Sequence, residues 1–295
     1  MEAQARTTFP AFEFGLMVGI GGGVPSEEND IRLGDVVVSQ PVDSYGGVIQ
    51  YDMGRTEGFN QFVRTGSLNR PPNILLGAIN GTLFQNFAFT VASARVLETT
   101  PEATTLAIDS EHSPYISHHP SGGFANLKVC AELQARHLMM DAELWDNLKR
   151  MQSKNPIWKK PQQDQLYRVD YRHPADERTC ASCDRTQLVP RSPRIEETPS
   201  IHYGLIASGN RVMKDGVTRE KFRKELNVLC FETVAAGLMD TFPCIVIRGI
   251  CDYSDSHKNY QWQRYAAAVA AAYAKELLCS IAPTQTAPAQ ALMGE

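Results

Sequence analysis

Apolar residues in this chain fall in short, dense runs separated by glycine, proline and polar stretches. Phe12 to Ile20 is such a run and passes straight into Gly21-Gly22-Gly23, which predicts a buried strand ending in a glycine loop. Ile31 to Ser39 is rich in β-branched residues between turn signals and predicts a second strand. Val48 to Met53 predicts a third, shorter one. Further strands are expected at Ile201–Ser208 and Val228–Phe231. The clearest is Cys244 to Ile250, whose near-continuous apolar run is the mark of a parallel sheet covered on both faces. Helical spacing shows between Leu133 and Met151, with apolar residues at Leu138, Met139, Leu144, Trp145 and Leu148. Thr218 to Asn227 reads as a charged helix and Val234 to Met239 as the start of a buried one. The alanine-rich stretch from Tyr260 to Cys279 is the strongest helix, because alanine is the best helix former. Strands alternating with helices predict an α/β sandwich around a mostly parallel sheet.

Three regions break the pattern. From Gly81 to about Ala131 the chain is dense in Ser, Thr, Pro and His without periodicity, and it reads as an irregular insertion. Residues 155–200 are rich in Pro, Arg and Asp and read as a long excursion. The tail 283–295 is expected to be disordered. No internal repeat is present.

Composition narrows the class. With 295 residues, 43% hydrophobic and 21% charged, the chain can bury a sizeable core. A net charge of -4 argues against nucleic acid as a partner. No apolar run reaches the roughly 18 residues of a spanning helix, and no apolar signal core follows the polar N-terminus. Several of the seven cysteines sit inside apolar runs, as reduced thiols do, so a cytoplasmic location is expected.

The candidate chemistry begins with Asp252, at the C-terminal end of the clearest strand, where open α/β sheets bind ligands. A partly buried carboxyl there can act as a general acid, or it can cap a turn. The glycines Gly21, Gly22 and Gly23 could bring backbone N–H groups close to an anion or a sugar, or simply make a tight turn. They form neither a GxGxxG fingerprint nor a phosphate-binding loop with Gly-Lys-Ser/Thr, which argues against a generic dinucleotide binder. Glu232, after a buried strand, could bind sugar hydroxyls or cap the following helix. Arg64 to Arg70 could hold an anion or be a loop. The histidines His112, His118 and His119 read as a solvated loop. Cys180-x-x-Cys183 with His173 offers three ligands and no evident fourth, so no metal is expected. A redox pair is not expected either, without a strand-to-helix setting.

Taken in order, Gly19-Ile-Gly-Gly-Gly-Val-Pro25, Arg32-Leu-Gly-Asp-Val-Val-Val-Ser39, Ile201-His-Tyr-Gly-Leu-Ile-Ala-Ser208, Val228-Leu-Cys-Phe-Glu232 and Val246-Ile-Arg-Gly-Ile-Cys-Asp-Tyr-Ser-Asp255 resemble the nucleoside phosphorylase superfamily. That superfamily includes purine nucleoside phosphorylases and methylthioadenosine/adenosylhomocysteine nucleosidases. The look is nearest to the fungal branch often fused to NACHT or ankyrin regions. The resemblance implies a single domain over residues 9–281, built as a three-layer sandwich with a mixed, mostly parallel central sheet. It implies cleavage of the N-glycosidic bond of a purine nucleoside by phosphate or water, with Asp252 protonating the leaving base. The Gly21–Gly23 stretch would border phosphate or water and the ribose. The Ser208–Met213 stretch, with Ser208 and Asn210, would line the base pocket, and Glu232 and Thr233 are further candidate substrate-binding residues. No cofactor is implied beyond inorganic phosphate as a co-substrate, and self-association is the default.

Departures from the family pattern carry the alternative. The family has a further strand region before the glycine run, so the sheet here is expected to lack N-terminal strands and to keep a bare edge. The family's second glutamate, which grips ribose hydroxyls, is Val234 in this chain. The segment 81–131 has no family counterpart and reads as a late insertion or an unspliced segment. These departures frame a catalytically degenerate nucleoside-binding or sensing module as the second expectation.

Overall fold

A computed structural model describes residues 14–58, 61–80, 146–175, 177, 179–194, 198–258 and 260–281. The segment 81–131, its three histidines and the tail lie outside the described residues.

The strands are β1 (Gly15–Gly23), β2 (Val36–Ser39), β3 (Val48–Gln50), β4 (Gly54–Glu57), β5 (Gln61–Arg64), β6 (Ile201–Ser208), β7 (Val228–Glu232) and β8 (Cys244–Asp252). The helices are α1 (73–80), α2 (146–154), α3 (Gly216–Leu226) and α4 (Trp262–Ser280). Six strands form one mixed sheet in the order β2-β8-β1-β7-β6-β3. Its ladders are parallel in β1–β8, β2–β6, β3–β6 and β6–β7, and antiparallel in β1–β7 and β2–β8. The β2–β6 pairing joins strands from opposite parts of that order. The ladder therefore closes on itself, and the sheet curls into a partial barrel. The fold is a mixed α/β one.

Alternation along the strands sorts the apolar side chains onto two faces. Val48, Ile206 and Leu229 join the larger core beneath α4, while Ile49, Leu205, Ala207 and Phe231 join a smaller core against α3. The alanines of α4 decide how closely it lies on the sheet. At Gly249 a Cβ would collide with the carbonyl oxygen of Ala266, so only glycine admits the helix here. Helix α3 starts where the Asp215 carboxylate accepts from Val217 N, at 2.9 Å. It stops at Asn227, which takes a left-handed φ of 52°.

The second expected strand is shorter, Val36–Ser39, with 31–35 a turn leading into it, and two further expected elements change in kind. The glycine run is the end of β1 and not a loop, because the parallel ladder with β8 continues to Gly22 opposite Asp252. β7 meanwhile pairs with Gly22 and Gly23 from the other side. Ladder bonds on both edges outweigh glycine's weak strand preference. The buried helix expected from Val234 is a single 3-10 turn, Ala235–Gly237. Residues 155–194 form an irregular excursion that is nonetheless tied down. Trp262 Nε1 donates to Gln163 O at 3.0 Å, and Arg191 pairs with Asp164 at 3.0 Å.

Among the described residues β1 has no strand partner opposite β8 until Gly22, and Val18 stands 39% exposed. No helix among the described residues is long and apolar enough to cross a membrane.

Candidate active site

The C-terminal ends of β1, β7 and β8 converge on one cleft with an empty volume of about 580 Å³, part of it open to solvent. Asp252 ends β8 within this cleft and is 5% exposed. Both carboxylate oxygens are held: Ser254 N donates to Oδ1 at 3.0 Å, and Lys258 Nζ lies 2.9 Å from Oδ2. Ser254 takes a positive φ of 54°, a conformation that non-glycine residues adopt only where the surroundings enforce it. Its hydroxyl is buried at the cleft without a protein partner.

The glycines of β1 make this arrangement fit. A Cβ at Gly22 would collide with Ser254 Oγ and lie 2.6 Å from Asp252 Oδ1. A Cβ at Gly19 would collide with the Arg248 guanidinium, which crosses the face of β1. Arg248 continues to Glu232, with Nη2 to Oε2 at 2.6 Å, and both side chains are buried.

Glu232 serves as a cap. Its carboxylate accepts from Val234 N at 3.0 Å and from Ala235 N at 3.0 Å, besides taking Arg248. Of the two roles open to it in sequence, the structure shows the capping one. Thr233 and Val234 flank it in the cleft, and Val234 is 53% exposed there.

Of the expected site residues, Gly21, Gly22, Glu232, Thr233 and Asp252 line this cleft together. Gly23, Ser208 and Asn210 do not. Gly23 packs against Ile250 and Ile31 in the ladder with β7. Ser208 is fully buried, and its Oγ accepts from Ala236 N at 2.9 Å, which fastens the turn after Glu232. Asn210 N donates to Asp52 at 2.7 Å and lines a neighbouring cavity with Tyr51 and Phe222. From the same stretch, Val212 and Met213 do reach the Asp252 cleft. Asp255 and His257 turn away from it; Asp255 Oδ1 accepts from His257 N at 2.8 Å and Oδ2 stands 3.5 Å from Arg219. Arg64 pairs with Glu225 at 3.3 Å and borders a separate cavity with Ser67 and Asp240.

Sequence reasoning missed Arg248, Ser254 and Lys258. A charge inside an otherwise apolar strand was the available signal for Arg248. Nothing local marked the other two.

Cys180 and Cys183, on a 3-10 turn of the excursion, stand with His173 so that their ligand atoms all lie within 4.8 Å of one another. Burial, with Cys183 adding to it, pushes the Cys180 thiol up to about 12, which is not the low value of a redox thiolate.

No family model matches the chain. It is 39% identical over 284 residues to a nucleotide-binding leucine-rich repeat (NLR)-like protein of Hyaloscypha variabilis. That match covers 96% of this chain but only 23% of the relative, so the chain spans about a quarter of the curated protein it matches. Among solved structures it is similar to the 5'-methylthioadenosine/S-adenosylhomocysteine nucleosidase of Neisseria meningitidis, at TM-score 0.42 and 14% identity, covering 95% of this chain and 73% of that one. It is also similar to the corresponding enzyme of S. pneumoniae, at TM-score 0.41 and 12% identity with 95% and 73% covered. A third is the futalosine hydrolase of Helicobacter pylori, at TM-score 0.37 and 13% identity with 94% and 72% covered. At these scores and identities the likeness carries no argument, and functional weight rests on the cleft.

Proposed function

We propose that the cleft cleaves the N-glycosidic bond of a purine nucleoside, with Asp252 as the acid that protonates the departing base. The observation that carries this reading is a buried carboxyl fixed at a strand end where it lines a cleft. Glycosidic cleavage passes through an oxocarbenium-like sugar, so the leaving base must be activated and the cation sheltered from bulk water. Asp252 supplies the first requirement. The unpartnered Ser254 hydroxyl is free to bond a ligand, and Val212 and Met213 offer apolar surface to a base. Water or inorganic phosphate is the proposed acceptor, with no other cofactor. On this reading the domain has the three-layer plan of the family it resembles, and the chain self-associates.

A second reading, a nucleoside-binding module without turnover, is favoured by one observation. The cleft has Val234 where the resembled family has a carboxylate, and Glu232 spends its oxygens on Arg248 and the turn.

The test is product analysis of the purified chain with adenosine, inosine, guanosine and methylthioadenosine, with and without phosphate. Free base should appear and should fall by about 10²–10⁴-fold in Asp252→Asn, the usual worth of a positioned general acid. Nucleoside binding without any base release would establish the second reading instead.

A further inference from the structure

We propose that His173, Cys180 and Cys183 hold a zinc ion, with the imidazole of His257 as the fourth ligand. The sequence offers three ligands and no visible fourth. The fold brings a further imidazole beside His173 from a distant part of the chain.

The Cys-x-x-Cys spacing falls on the 3-10 turn Cys180–Ser182, where Cys183 N donates to Cys180 O at 3.3 Å. The turn brings both sulfurs to one side, and His173 completes a set whose ligand atoms lie within 4.8 Å of one another. Zinc takes sulfur at about 2.3 Å and nitrogen at about 2.1 Å, so tetrahedral ligand atoms sit roughly 3.5 Å apart. Small side-chain rotations would close the set onto an ion.

His173 is already oriented. Its backbone N donates to Ser256 Oγ at 2.9 Å, and its ring nitrogens lie 2.9 Å from Pro174 O and 3.1 Å from Thr179 O. A neutral imidazole carries one N–H, so only one of those carbonyls can receive a proton. Metal binding would take the other nitrogen and leave the N–H on its carbonyl, the arrangement that usually fixes a ligating histidine.

His257 is the independent observation. Its side chain is 3% exposed, neither ring nitrogen has a hydrogen-bond partner, and Nδ1 stands 3.7 Å from Asp255 Oδ1. A buried imidazole with both nitrogens orphaned needs a physical explanation. Its ring stacks on Tyr167 at 4.1 Å and stands edge-on to His173 with centroids 5.5 Å apart. Two imidazoles on one tetrahedral ion would have centroids about 5 Å apart, given zinc–nitrogen bonds of about 2.1 Å. Four protein ligands leave no open position, so the ion would be structural. It would fasten the excursion 155–194 to the loop that follows β8, one residue from the Lys258 that pairs with Asp252.

The chain, purified without chelator, should carry about one zinc, measured by elemental analysis and by release to a chromogenic chelator after thiol blocking. Cobalt exchanged into it should show thiolate charge-transfer absorption and the intense visible bands of a tetrahedral site, a readout that needs no variant. Cys180→Ser with Cys183→Ser should abolish the zinc. His257→Ala should weaken zinc binding about tenfold or more and shift the cobalt bands. A folded chain that takes up no zinc in a zinc chloride titration overturns the site, as does zinc retained by the double serine variant. An unchanged cobalt spectrum in His257→Ala removes that residue as the fourth ligand. None of these readouts depends on turnover, so they stand or fall apart from nucleoside cleavage.

Discussion

At Gly22 the absence of a side chain does chemical service. The Asp252 carboxylate and the Ser254 hydroxyl occupy the space a Cβ would need. Gly22→Ala should therefore leave the fold intact while displacing the carboxylate, and a displacement near 1 Å at a reacting group can cost about 10²-fold. Base release, or nucleoside affinity if there is no turnover, should drop by at least tenfold in Gly22→Ala with circular dichroism unchanged. Equal activity in the two proteins would show that Asp252 is not placed by this contact. The residues flanking Asp252 illustrate what local sequence conveys. The Asp252 carboxyl was legible as a charge at the end of an apolar strand. Lys258 and Ser254 were not, because the tight turn after β8 decides their approach to it.

Among the elements, the entry to β2 depends on one buried carboxylate. Asp35 accepts from Arg32 N at 2.8 Å, from Arg194 Nη1 at 2.6 Å, from Ser200 N at 2.9 Å and from His202 Nε2 at 2.9 Å. It thereby joins β2, β6 and the end of the excursion. Burial pushes its pKa up, but the bonds from Arg194 and His202 outweigh this and hold it below the ordinary carboxylate value. The unfolded chain thus binds the proton more readily. The stabilisation is fully present above about pH 4, where the unfolded carboxyl titrates, and is lost as pH falls through the lower folded value. Asp35→Asn should cost roughly 3 kcal/mol at neutral pH, the usual scale for breaking a buried pair. Urea midpoints measured from pH 6 to pH 3 should fall less steeply in the variant than in the wild type. Parallel slopes would show that Asp35 does not carry the acid sensitivity.

For the whole molecule the part of β1 that pairs with β8 alone among the described residues matters most. Unpaired strand edges invite pairing with another chain, and exposed apolar residues strengthen the invitation. Light scattering over a concentration series should show self-association of the wild-type chain, and Val18→Lys should reduce it at unchanged secondary structure. Association that is indifferent to Val18→Lys would move the interface elsewhere. The proposed zinc ion belongs to the same scale, since it would join segments that share no sheet.

The sequence by itself determined the strand at Ile201–Ser208, a strand from Cys244 to Ile250 that the fold extends to Asp252, the helix of α4 and the carboxyl at that strand's end. Each depends on the residues next to it: apolar runs, alanine content, and a charge closing a buried stretch. The closure of the sheet through β2–β6 could not be read this way, because Val36 meets Ile201 only once the chain between them has folded. The same holds for the glycine run, whose local preference for a loop is overruled by ladders to β7 and β8. Likewise the fourth partner of Cys180, Cys183 and His173 is 74 positions beyond Cys183 along the chain. Tertiary structure decided these features because pairings and close approaches between distant segments leave no periodicity in either one alone.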